Sequence, residues 1–403
     1  VSTPFHDLEQ YIALPRTGHL VLSPDGTRLA VSVQSLDTKK TAYRTAWWQV
    51  DPAGQAPARR LTRGAKGEGE AAFTPAGDLL FTAVRPTGGE DEDETPSLHL
   101  LPRDGGEARQ VAARTAGLGG LRVARQAGTV LLTSEVLPGA RDEADDEKLR
   151  KERKDLKLGA ILHDGYPVRL WDHDLGPGHT HVFVASAVPG TAPAGTSEPT
   201  ATLRDLTPQA GHALGEGEAT LSPDGTTVVA VWEVPGARGD VRATLVAIDV
   251  ADGARRVLVD LPTADVWYPA ISPDGQWVAF VVEDQSTPHQ APNQTVGLVP
   301  LAGGPVRRLA EGWDRWPAAL TWLPDSSGLL VVADEDGRAP IFHLGLDDAP
   351  PMRLTSDDAA FSDVCVSPDG RTAYALRASY LAPAHPVRLD LAAALADGPL
   401  AAV

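Results

Sequence analysis

The densest group of residues able to do chemistry lies in the stretch WDHDLGPGHTHVF, which brings His173, Asp174, His179 and His181 together. Imidazole and carboxylate are common metal ligands, and His179 and His181 fall on one face of a strand. The intervening Gly-Pro-Gly also reads as a hairpin tip with polar flanks, and that is the preferred reading. No metal and no cofactor are expected. Asp334-Glu335-Asp336-Gly337 faintly resembles a calcium loop but lacks the alternating ligands and the terminal Glu, so it reads as a turn. Ser197 in GTSEP comes nearest to a G-x-S-x-G nucleophile turn, yet Pro199 replaces the second Gly and the surroundings are loop. A Ser-His-Asp set is defined by geometry and not by spacing, but without a strained elbow none is expected here. No convincing carboxylate pair of the kind a sugar-cleaving channel needs is visible.

These residues must be positioned by a folded frame, and the composition bounds it. The chain has 403 residues, 42% of them hydrophobic, with 39 Gly and 34 Pro. That is enough core to exclude global disorder and too many breakers for an all-helical protein. The formal charge of −18 argues against a nucleic-acid or anionic-membrane partner. No apolar run approaches the roughly 18 residues of a membrane span. The single cysteine, Cys365, cannot form an internal disulfide, which fits the expected cytoplasmic location. Arginine outweighs lysine, as a GC-rich bacterial genome would produce.

A repeat supplies the frame. LSPDGTRLAVSV, FTPAGDLLFTAV, LSPDGTTVVAVWE, ISPDGQWVAFVVE, WLPDSSGLLVVAD and VSPDGRTAYALRA place prolines at 24, 75, 223, 273, 324 and 368. In each, Pro presets the first corner of a turn, Asp hydrogen-bonds locally and Gly takes positive φ. The β-branched and aromatic run that follows makes the unit a hairpin. A second marker, RRLT at 59, RQVA at 109, RDLT at 204, RRVL at 255, RRLA at 307 or MRLT at 352, precedes most copies. With a third strand between hairpin and marker, each repeat is a four-stranded unit of about 50 residues, the signature of a β-propeller blade.

The gap between Pro75 and Pro223 holds one more hairpin, LRVARQAGTVLLT, with Gln126 in the proline position, which gives an all-β propeller of seven four-stranded blades. An eight-bladed count, with DLGPGHTHVFVAS as an extra hairpin, stays open. The seventh blade is expected to end with PVRLDL at 386–391, so the propeller spans 20–391. Blade three is long because of an insertion at about 139–160, where GARDEADDEKLRKERKDLKL suits an exposed helix with a favourable Glu147–Lys151 pair. The preferred reading is a solvated arm; the alternative is an arm that packs on another domain or subunit. Residues 1–19 hold a lead-in and a short helix, with Asp7 as cap, Gln10 three residues on, and Pro15 as the stop. Residues 392–403 are Ala-rich and read as the start of a linker. The tryptophans, among them Trp47, Trp48, Trp313 and Trp316, are expected mostly between blades.

An N-terminal helix leading through LVLSPDGTRLAV into SPDG…RLT blades, with GYPVRLWDHDLGPGHTHVFVAS after a charged insertion, resembles the propeller domain of the prolyl oligopeptidase family of serine peptidases, in its acylaminoacyl-peptidase branch. The resemblance covers nearly the whole chain. It implies a C-terminal α/β-hydrolase domain as partner, carrying the Ser, Asp and His, none of which transfers to a residue here. It also implies a non-catalytic role in gating short or N-acylated peptides, with carboxypeptidase-type cleavage by the parent left open. Within blade three, Tyr166 and Arg169 in GYPVRLW are the substrate-binding candidates, because a guanidinium suits a peptide carboxylate. The alternative function is a free-standing TolB-like scaffold that binds another protein. Homo-oligomers are compatible with either.

Overall fold

The computed structural model describes residues 6–85, 95–163, 165, 167–185, 201–215, 218–347 and 349–403. The chain is a seven-bladed β-propeller. Blade one consists of Arg16–Leu22, Leu29–Leu36, Tyr43–Val50 and Arg59–Arg60, paired antiparallel in chain order. Blade two follows with Glu68–Phe73, Leu79–Ala83, Ser97–Leu101 and Arg109–Ala112. Blade three takes Gly119–Val123, Val130–Val136, His179–Ala185 and Arg204–Asp205. The stretch considered as an extra hairpin is thus the third strand of this blade, and the count is seven. Blade four runs from Ala219 to Val259, blade five from Ala264 to Leu309 and blade six from Pro317 to Arg353, each with four strands. Blade seven has three: Ala360–Val366, Thr372–Ser379 and Ala382–Asp390. Each Arg-bearing marker is the short outer strand of its blade.

The SPDG turn is a closed hydrogen-bond unit. In the copy at 23–28, the Ser23 hydroxyl donates to Asp25 Oδ1 at 2.6 Å and accepts from the Arg28 amide at 2.9 Å, while Gly26 N–H reaches the Ser23 carbonyl at 2.8 Å. Gly26 sits at φ +72° and Gly225, Gly275 and Gly370 near it, a region where L side chains are strained. In blade three the strand register, Val123↔Val130 as Leu22↔Leu29 in blade one, gives the proline position to Arg125, one residue before the expected Gln126. The Gln126 amide donates to the Pro223 carbonyl at 2.9 Å, a bond proline could not make.

Inner strands carry β-bulges. Register shifts lie between Thr17 and Leu20, Glu68 and Ala71, Trp267 and Ala270, and Ser362 and Cys365. Tyr268 and Asp363 take left-handed backbone there, and a bulge of this kind re-aims the side chains beside it. Glycines fit the tight spots: a Cβ on Gly18 would lie 2.7 Å from Ser32 Oγ, and one on Gly120 would lie 2.6 Å from Thr133 Oγ1.

By its internal contacts the chain divides into two compact units, one of Val1–Glu94, Leu100–Ala108 and Gly312–Val403, the other of Thr95–His99 and Arg109–Glu311. In the first, blade one meets blade seven with no strand exchanged among the described residues. Leu20, Leu29 and Val31 pack with Tyr374 and Leu376, and Arg388 Nη1 donates to the Ala53 carbonyl at 3.0 Å. Blades six and seven share a core around Leu330, Ile341, Phe361 and Leu389. Trp47 is fully buried and gives its indole N–H to the Gly69 carbonyl. In the second unit, Val229, Val231, Leu245, Val278 and Phe280 join blades four and five, and Leu131, Val184, Val228 and Ile248 join blades three and four.

Among the described residues three α-helices accompany the strands. α1, Leu8–Ala13, is capped by Asp7, whose Oδ1 accepts from the Gln10 amide at 3.1 Å; its Ile12 carbonyl accepts from the Tyr43 hydroxyl. α2, Glu143–Asp155, belongs to blade three. α3, Leu391–Asp397, lies in the stretch expected to open a linker; Leu391 and Ala394 are buried in the core of blades six and seven. The tail then returns, and Arg388 and Val403 exchange backbone hydrogen bonds of 2.7 and 2.9 Å. It thereby lines the outer edge of blade seven, where the other blades have a fourth strand. Among the described residues no helix is long and apolar enough to cross a membrane.

Candidate functional site in the third blade

Blade three is where the repeat is broken. Its second and third strands pair without a slip from Val130↔Ala185 to Val136↔His179, and the chain between them forms an arm. The arm opens with α2, capped by Asp142, whose Oδ1 accepts from the Asp145 amide at 2.9 Å. The first turn is tied down. Asp146 is wholly buried; Oδ1 accepts from the Leu137 amide at 2.7 Å and Oδ2 from Arg150 Nε at 2.8 Å. Arg114, at the end of blade two, sits 2.5 Å from Glu143 and 3.9 Å from Asp146, donates to Ser134 Oγ at 3.1 Å, and lies 4.1 Å from the Phe183 ring centroid. A buried carboxylate is tolerated because amide and guanidinium donors replace its water. The arm read as solvated is therefore anchored at its root and solvated only beyond it. Lys151, expected to pair with Glu147, is bonded to Asp155 at 2.8 Å.

Beyond the root the arm lines an open-sided cavity of about 410 Å³. Leu137, Leu149, Ile161, Leu175 and Pro177 give it apolar walls, and His163, His179 and His212 supply the imidazoles. The rings of His179 and His212 lie 4.2 Å apart, tilted by 59°. Leu156, Leu158 and Leu162, also lining it, are 76%, 48% and 94% exposed. A two-strand hairpin follows, Arg169–Leu170 with His173–Asp174, and carries Trp171 at φ +50° with 93% of its surface exposed. Few apolar side chains elsewhere among the described residues stand so open.

The sequence candidates are placed as follows. Arg169 is exposed on that hairpin; Nη1 donates to Asp174 Oδ1 at 2.8 Å and Nη2 to the Asp172 carbonyl at 3.0 Å. Tyr166 lies outside the described residues, as does Ser197. His173 bonds Asp172, His179 lines the cavity, and His181 is buried against Asp205 at 2.7 Å, so the histidines do not converge. Among the described residues no group of three or more His, Cys, Asp or Glu could hold a metal ion. The Asp334–Gly337 stretch is a turn in which Glu335 holds Arg315 and Arg353.

The arrangement nearest to a serine triad also lies here. Ser134 is the cross-strand partner of His181, and His181 bonds Asp205. The Ser134 hydroxyl, however, donates to the Gly117 carbonyl at 2.7 Å and accepts from Arg114, so its proton is committed to the frame. Ser97 and His99, 3.0 Å apart, are both buried in blade two, with Ser97 also bonded to Gln110. The carboxyl shifts in the SPDG turns likewise serve architecture. Ser23, Ser222 and Ser367 donate to Asp25, Asp224 and Asp369 and hold those carboxyls below their ordinary range. Beside the inner strand of blade four, desolvation pushes the Glu218 carboxyl up, with Arg122 pulling it back.

The comparisons agree with this picture of a frame. No family model matches the chain. A dipeptidyl-peptidase 5 of Aspergillus fumigatus is 24% identical over 375 residues, 87% of this chain and 51% of that protein. An acylaminoacyl peptidase solved with Z-Gly-Gly-Phe-chloromethyl ketone superposes with a TM-score of 0.68 at 10% identity, over 95% of this chain and 52% of that one. The propeller domain of the trilobed protease from Pyrococcus furiosus, described as having an open velcro topology, gives 0.61 at 9% identity and covers 93% of both. The chain spans about half the length of the first two. Its structural neighbours include propeller-bearing peptidases of the prolyl oligopeptidase family, in line with the resemblance read from the sequence.

Proposed function

We propose that this chain is the propeller half of a serine peptidase that hydrolyses short or N-acylated peptides, and that its task is admission and not bond cleavage. The observation that carries the reading is the match of nearly the whole chain, 95%, to only 52% of an acylaminoacyl peptidase. Two features support it. Among the described residues, the serine nearest to a His–Asp pair gives its proton to a backbone carbonyl, and blade one meets blade seven by side-chain packing with no strand shared between them. A rigid propeller over a catalytic domain lets short flexible peptides in and bars folded proteins. The missing half would be an α/β-hydrolase domain, and the location cytoplasmic, in a bacterium.

Arg169 is the residue proposed to meet substrate. Its exposed guanidinium already holds the Asp174 carboxylate, and a peptide C-terminus presents the same group. In the full-length peptidase, Arg169→Met is expected to raise KM about tenfold for peptides with a free C-terminal carboxylate and little for their amides, the loss of one charge-assisted bond. An equal effect on both would remove Arg169 from the site. Reading the frame beyond Val403 tests the larger proposal: a G-x-S-x-G followed by Asp and His within roughly 250 residues supports it, and a stop codon would favour a free-standing scaffold.

A further inference from the structure

In the unit that holds blades six, seven, one and two, the SPDG turns meet from blade to blade. Arg28 Nη1 donates to the Gly77 carbonyl at 2.6 Å, joining blades one and two, and a Cβ on Gly26 would lie 2.6 Å from Pro368 Cδ, where blade one touches blade seven. Between blades six and seven a cavity of about 420 Å³ interrupts the contact. Pro324 and Asp325 line it from one turn, Pro368 and Asp369 from the other, and Leu395 from α3. His343, on the third strand of blade six, adds its imidazole. Gly328 on the neighbouring strand makes room for that ring, since a Cβ there would lie 2.7 Å from His343 Nε2.

The polar groups around this space are acceptors. Asp325 Oδ1 accepts from the Ser327 amide and hydroxyl, and Asp369 Oδ1 from the Ser367 hydroxyl and the Arg371 amide. Oδ2 of each takes no part in those bonds. The bonds hold both carboxyls below their ordinary range, so both are charged at neutral pH. Among the described residues the half-buried His343 imidazole has no hydrogen-bond partner. Desolvation pushes it below its ordinary value against the fields of Asp347 and Asp325, which leaves it neutral and able to accept from an N–H. No Lys or Arg is among the described residues that line the cavity, and Arg371 acts on Asp369 from outside that lining.

We propose that this cavity binds a small organic cation, an ammonium or guanidinium group on a short aliphatic chain. Its N–H groups would donate to Asp325, Asp369 and the His343 ring, and its methylenes would lie against Pro324, Pro368 and Leu395. Both head groups carry several donors and no acceptor, which matches a lining rich in acceptors. Apolar walls with a few convergent polar groups in a space of this size are the usual form of a small-molecule site. The formal charge of −18 also draws such ligands toward the chain. The proposal does not rest on the peptidase reading, because every group it uses lies in blades six and seven and α3.

Calorimetric titration of the purified chain with cadaverine and, separately, with agmatine tests this, and 1-pentanol serves as the uncharged control. The two amines separate ammonium from guanidinium. The expected result is one saturable site for at least one of them and none for pentanol. Asp325→Asn and Asp369→Asn should each weaken it about tenfold, because the amide oxygen keeps the turn bonded while the charge is lost. Asp274→Asn, the same change in the blade-five turn outside this cavity, should leave the affinity unchanged. No saturable binding of either amine, equal binding of pentanol, or an equal loss in all three variants overturns the proposal.

Discussion

The SPDG turns and the third-blade arm are built from similar acids and differ in what holds them. In the turns, the SPDG carboxylates are held first by residues two positions away, as Asp224 is by Ser222 and Thr226, although Asp25 also meets Arg103 at 3.1 Å. In the arm, Asp146 is held by Arg150 one helical turn away and approached by Arg114, which belongs to the preceding blade. Local networks can be copied at every blade, whereas a network reaching across chain distance is made once. A part made once is where a propeller departs from its own pattern, and blade three is where the arm's cavity, the exposed Leu162 and Trp171 and the substrate candidate lie.

If that contrast holds, breaking the arm root should have the largest effect. Asp146→Ala leaves the Leu137 amide without its acceptor and Arg150 without its carboxylate and should cost about 3 kcal/mol, read as a lowered urea midpoint. Hydrogen exchange should show the loss first in α2. Turn glycines come next and should not be equal. A Cβ on Gly225 would overlap the Thr129 side chain, while one on Gly275 meets open space. Gly225→Ala is therefore expected to cost about 2 kcal/mol or more and Gly275→Ala about 1 kcal/mol, the strain of left-handed backbone alone. Equal losses would mean that packing at the turn tips contributes nothing.

Smaller still is the bond that Gln126 makes and proline could not. Gln126→Pro should cost about 1 kcal/mol by equilibrium denaturation. Ser222→Ala should cost a similar amount at neutral pH and less in acid. The Asp224 carboxyl is depressed in the folded state, so its contribution is present above the unfolded value of about 3.9 and is lost as pH falls through the folded one. A Ser222→Ala penalty that grows on acidification would contradict that linkage.

The frame was legible in the sequence because its signals are local. Pro, Asp and Gly at fixed offsets announce turns, and the Arg-bearing markers announce outer strands. Asp7 likewise announced α1. What stayed hidden depends on partners far along the chain. Nothing around Asp146, one acid in a charged run, marks it as buried, and Arg114 lies well upstream of it. The bulges beside Gly18 and Gly120 carry no motif beyond a glycine opposite a Ser or Thr. Residues 392–403 read as the start of a linker because they are rich in Ala; what that composition does not announce is the burial of Ala394 and Ala402 against the last blades. Trp171 was passed over because a tryptophan in a β-rich chain is more often core.

The account's central claim is that this chain admits substrate and does not cut it. Incubating the purified chain with a chromogenic acyl-peptide and a serine-directed fluorophosphonate probe, beside the full-length protein, tests it most directly. Hydrolysis and covalent labelling are expected only in the full-length protein, at a serine outside these 403 residues. Labelling of this chain alone, at Ser134 or any other serine, would contradict the account.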